Sequence, residues 1–197
     1  MRRGLLLNYL TLGYNLVEAV VALAAGLVAG SVALVAFGFD SAIEVTSSLA
    51  AQWRLRSDVD PDRRAQVERS THRIIGWSFL VLAAYVVIDS VTSLWRREIP
   101  EPSMPGIVIL SLSVVVMPIL ARYKRRIANS LESRALRAEA AQTSLCAYLS
   151  VIALAGVGLN TAFGWWWADP VAALAMVPII AKEGSEGVRA VAACDEC

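Results

Sequence analysis

Six apolar stretches, read as membrane-spanning helices, constrain this chain more than any other feature. They fall at about residues 6–28, 31–51, 74–95, 106–123, 138–163 and 168–182. A membrane-spanning helix needs about 20 mostly apolar residues. Hydrophobic residues make up 57% of the chain, and a soluble domain of this length interleaves polar residues far more often. The predicted fold class is all-α: a polytopic membrane protein built as a bundle of six transmembrane helices.

Charge placement predicts the orientation. Arg2 and Arg3, the basic stretches at 54–73 and 122–137, and Lys182 with Arg189 all fall on one side of such a bundle. The short loops of the other side hold only Arg96 and Arg97. The positive-inside rule then places both termini in the cytoplasm, in a membrane of the bacterial plasma-membrane type, with residues 184–197 as a short cytosolic tail. Met1-Arg2-Arg3 followed by apolar residues has the outline of a signal peptide. Asn15 and Glu18 interrupt that apolar run, however, so a retained first span is expected. The formal net charge of +1 gives no reason to expect a nucleic-acid partner. Three cysteines, Cys146, Cys194 and Cys197, make no disulfide framework. The tail pair, a lone CxxC, is a weak metal signal.

The informative residues are the polar ones inside the apolar stretches. Asp40 and Glu44 stand four apart in the second span, about 6 Å of helical rise, and so share one face. An ionisable group near the bilayer centre costs about 2.5–3.5 kcal/mol on insertion scales. Two readings of the pair follow: neutral carboxyls hydrogen-bonded to neighbouring helices, or carboxylates that ligate a divalent cation. Oxygen ligands suit zinc, and hard oxygen alone also suits manganese or magnesium. Gln142 and Cys146 repeat the spacing in the fifth span, with Glu139 one turn earlier and Thr143 and Ser150 near the same face. A lone helical cysteine is most often a small buried apolar residue; as a thiolate it would favour zinc or monovalent copper. Asn15 and Glu18 in the first span are weaker candidates, as cavity-lining or supporting groups. Asp89 and His72 read as membrane-edge residues.

Gly30-Ser31-Val32-Ala33-Leu34 followed by Asp40 and Glu44 resembles the second transmembrane helix of the cation diffusion facilitator family. Asn15 in the first helix and Trp167-Ala168-Asp169-Pro170 opening the sixth resemble it too. The resemblance implies six helices with cytoplasmic termini, a homodimer, and a tetrahedral mid-membrane metal site. That site is formed by acidic or histidine residues four apart on the second helix and a His-x-x-x-Asp pair on the fifth. By position, Asp40 and Glu44 take the second-helix places, and Gln142 and Cys146 take the fifth-helix places in departure from that pair. The roughly fifteen residues after Lys182 are too few for the family's small cytosolic α/β module, which makes this a short member.

The function expected on these grounds is efflux of a divalent metal, zinc first and manganese or iron next, in exchange for protons. No enzymatic activity is expected, and no cofactor beyond the transported ion. The rival from another class is a non-transporting membrane subunit or metal sensor of the same fold. A third reading, an intramembrane aspartyl protease, would need Asp40 and Asp89 at one depth.

Overall fold

The computed structural model describes the backbone over residues 2–56, 61–130 and 134–195, and side chains over 9–49, 73–129 and 140–189. Glu139, His72 and the Cys194 and Cys197 pair lie outside the described side chains. Among the described residues six helices follow one another: α1 Arg2–Ala29, α2 Val32–Arg56, α3 Pro61–Arg96, α4 Met104–Ser130, α5 Arg134–Phe163 and α6 Ala168–Asp195. Among the described residues there is no strand.

Among the described residues, five helices contain stretches long and apolar enough to cross a membrane: Tyr9–Ala29, Val32–Leu49, Arg73–Arg96, Met104–Asn129 and Ala140–Phe163. The apolar part of α6, residues 168–182, is followed within the same helix by Lys182, Glu183, Glu186 and Arg189. The helices also run past the apolar stretches. The polar residues expected to form a loop before the third span already belong to α3 from Pro61 onward. Proline suits a first turn, because its missing N–H has no intrahelical partner there. Likewise α6 continues to Asp195 where a tail was expected. Its charged end is compatible with helix, and Lys182 approaches Glu186 at 3.8 Å one turn on.

The second helix is the axle of the bundle. It packs against α1, α3, α5 and α6, and 61% of its spanning stretch is buried, against 33–39% for the other four. The unbroken run from Val32 to Phe37 is buried on all sides. It meets Leu110 and Met117 of α4, Leu149 of α5 and Met176 of α6 in one core. Apolar residues also point outward, among them Leu16, Val20, Val81, Val115 and Val151, as a lipid-facing surface requires.

Three connections gather at one end of the bundle. Gly30, with φ of 65°, occupies the left-handed region that glycine enters without steric penalty and turns α1 into α2. The Glu101 N–H donates to the Ala29 carbonyl at 2.8 Å, and Asn160 Nδ2 donates to the Pro100 carbonyl at 2.8 Å. The Asp169 carboxylate, near the start of α6, accepts from Ser31 Oγ (2.6 Å), Val32 N (2.8 Å) and Ala33 N (3.4 Å), so α6 supplies the cap of α2. Ser31 Oγ accepts in turn from the Leu34 N–H at 3.1 Å.

Candidate functional site

The polar residues singled out in the spans converge on the interior. Asn15, Glu18, Asp40, Glu44 and Cys146 are all buried. The α-helical repeat explains this locally. Asn15 and Glu18 are three apart on α1, and Asp40 and Glu44 four apart on α2, so each helix presents its polar pair on one face.

Two hydrogen-bonded groups form. Around Glu18, Ser41 of α2 donates to Oε2 at 2.8 Å, and Ser113 of α4 donates to Oε1. The Cys146 thiol of α5 reaches Oε2 at 3.8 Å. Tyr14 lies 3.0 Å from the Ser113 hydroxyl, extending the group along α1. Around Glu44, the Thr143 hydroxyl of α5 donates to Oε1 at 2.9 Å, and Lys124 Nζ of α4 donates to that same Thr143 oxygen at 3.0 Å.

The two groups adjoin. Asp40 lies in electrostatic range of Glu44 and Glu18, and of Glu183 on α6, with Cys146 beside it. Asn15, Cys146, Thr143 and Lys124 all act on the Glu44 carboxylate. Glu44 Oε2 and both amide atoms of Asn15 are nevertheless buried with no hydrogen-bond partner. A buried carboxylate oxygen without a partner is destabilising by about 1–3 kcal/mol, more if charged, and a cation is the partner that satisfies it best.

Gln142 is half-buried, and its amide oxygen accepts from Ser47 Oγ of α2 at 3.4 Å; Thr143, the next residue, is the one that touches Glu44. Among the described residues, no three His, Cys, Asp or Glu side chains sit close enough as placed to share one ion. The protease pairing is not formed. Asp89 accepts from Tyr85 on its own helix at 3.1 Å and acts on Asp169, at the capped end of α2.

Three polar contributors had escaped sequence reasoning: Ser41, Ser113 and Lys124. For Lys124 a signal existed. Met117, Ala121, Lys124 and Ala128 are buried together at helical spacing, whereas Arg122, Tyr123, Arg125 and Arg126 are exposed. The flanking alanines leave room for a long side chain on an inward face.

A helical bundle with acids and a thiol gathered from several helices at its centre defines the class of the protein. Residues 9–192 match the cation efflux transmembrane domain, and the chain belongs to that family, whose members are transporters and not enzymes. It is similar to the magnetosome protein MamB of Paramagnetospirillum magneticum, 29% identical over 167 residues, which cover 82% of this chain and 56% of MamB. It is also similar to the manganese efflux system protein MneS of Bacillus subtilis, 27% identical over 173 residues, covering 85% of this chain and 59% of MneS. The chain thus spans a little over half the length of these curated relatives.

Proposed function

We propose that this chain moves a divalent metal ion out of the cytoplasm through an intramembrane site between α2 and α5, with protons passing the other way. The observation that carries this reading is Glu44 Oε2, buried and unpartnered beside Asp40, Cys146 and Asn15. A divalent cation would draw Asp40, Glu44 and Cys146 onto itself by side-chain rotation, with Gln142 or water completing the shell. Two carboxylates and a thiolate favour zinc. The name of the MneS relative places manganese beside it, and the carboxylate oxygens suit that ion.

Protons and metal compete for the same carboxylate oxygens. Exchange therefore needs no separate proton path, and rocking of the helices would expose the site to each side in turn. The chain works in this reading as a homodimer in a bacterial-type plasma membrane, with its termini in the cytoplasm.

Calorimetric titration of the purified protein with zinc and with manganese tests the site. One ion per chain is expected. Asp40→Asn or Glu44→Gln should weaken binding by more than about 100-fold, beyond the 10–100-fold that loss of an outer supporting group brings. Full binding in either variant would refute the assignment. A second reading, a non-transporting subunit of the same fold, is favoured by the engagement of Gln142 with Ser47. Proteoliposomes separate the two: metal flux that reverses with the pH gradient supports exchange, and binding without flux under either gradient supports the subunit.

A further inference from the structure

Lys124 is the one buried cation among the described residues. Its neighbours Tyr123 and Arg125 are exposed, and a lysine near a helix end commonly extends to the membrane surface, keeping its ammonium in water. Here the side chain turns inward instead. Nζ donates to Thr143 Oγ1 at 3.0 Å, and Thr143 passes a hydrogen bond on to Glu44 Oε1 at 2.9 Å. The lysine also acts directly through its charge on the Glu44 carboxylate. One oxygen of Glu44 is thereby committed to this relay from α4, and the other faces the site without a partner. A buried ammonium is destabilising unless an opposite charge or strong acceptors compensate it, and Glu44 is the acid to which this relay leads.

We infer that Lys124 is a tethered counter-cation of the acid cluster, competing with the transported ion for Glu44 and setting how tightly that ion is held. The inference rests on the proposed metal site and adds a residue from α4 to it. A divalent ion bound by Glu44 faces a fixed positive charge at the end of the Thr143 relay, which weakens binding and favours release. Lys124 is in this sense a positioning residue, acting on the cargo through Thr143 and Glu44. Without it the acids hold a cation more strongly and let it go more slowly.

The test is equilibrium titration of the purified full chain with zinc chloride and manganese chloride, in wild type and in Lys124→Gln, Lys124→Arg, Thr143→Val and Asp40→Asn. Removing one positive charge a few Å from a divalent ion in a polarisable interior should tighten binding about tenfold in Lys124→Gln. Thr143→Val, which keeps the lysine and breaks the relay, should tighten it by a smaller factor. Lys124→Arg, which keeps the charge, should stay within about twofold of wild type. A purely structural lysine predicts the opposite sign, because a loosened bundle binds less well. Unchanged or weaker binding in both Lys124→Gln and Thr143→Val overturns the inference. Should Lys124→Gln fail to fold, Thr143→Val decides alone by the same criterion. Loss of binding in Asp40→Asn within the same series leaves the metal site standing whatever Lys124 does, and full binding in Asp40→Asn removes the site itself.

Discussion

At residue scale, Asp169 shows how one side chain can hold two helices in register. Its carboxylate accepts three hydrogen bonds from the start of α2, where free N–H groups and the positive end of the helix dipole favour an anion. Replacing such a cap by alanine is destabilising by about 1–2 kcal/mol. Asp169→Ala should therefore lower the thermal midpoint of the purified protein, and Ser31→Ala, which removes one donor of the three, should lower it less. The acids of the site move with this cap, because Asp40 and Glu44 lie two and three turns further along the same helix. Asp169→Ala should also weaken zinc binding in calorimetry, by less than Asp40→Asn does. Equal loss in the two variants would mean that the cap holds more of the site than α2 alone.

At the scale of elements, the crossing of α3 and α6 depends on absent side chains. A Cβ on Gly76 would lie 2.8 Å from the Val188 nitrogen and 2.9 Å from the Gly184 carbonyl oxygen. These are backbone atoms that no rotamer change can move aside. Gly76→Ala should separate the helices at a cost of about 1–3 kcal/mol, the usual range for overpacking, seen as earlier unfolding in a detergent titration. Gly13→Ala, where nothing lies within 4 Å, is the matched control and should leave stability unchanged or slightly raised. The number and order of the helices were legible in the sequence because the apolar runs are separated by charged stretches, prolines or the Gly30-Ser31 turn. The shared face of Asp40 and Glu44 was legible because four residues make about one turn. Which neighbour meets that face was not. Contact of Thr143 with Glu44, and of Gln142 with Ser47, depends on the rotation of α5 about its axis, and a one-residue spacing argument cannot resolve that. Lys124 was easy to pass over because four of the residues flanking it in α4 are aromatic or basic and exposed, and only its spacing from Met117, Ala121 and Ala128 marks the inward face. The partners of Asp169 lie at the start of α2, and a sequence signal for capping, being local, cannot show them.

At the scale of the whole molecule, the turns after α1, α3 and α5 are tied together at one end of the bundle. The ends of α2 and α4, with the start of α1 and the end of α6, belong to the other. The exposed charges at the first end nearly balance, with Arg96 and Arg97 against Glu98 and Glu101. Among the described residues the second end exposes Arg73, Arg122, Arg125, Arg126, Lys182 and Arg189 against Glu186. A lysine or arginine near an anionic leaflet gains about 1 kcal/mol, so this excess favours one orientation by several kcal/mol, with the basic end in the cytoplasm. Single cysteines at Glu101 and Asn129, both exposed and at opposite ends, test it in a background where Cys194 and Cys197 are replaced by serine. In intact cells a membrane-impermeant maleimide should label Glu101→Cys and spare Asn129→Cys until the membrane is permeabilised. The buried Cys146 should stay unlabelled in both. Labelling of Asn129→Cys alone would invert the bundle, and with it the direction in which an ion at Glu44 would leave.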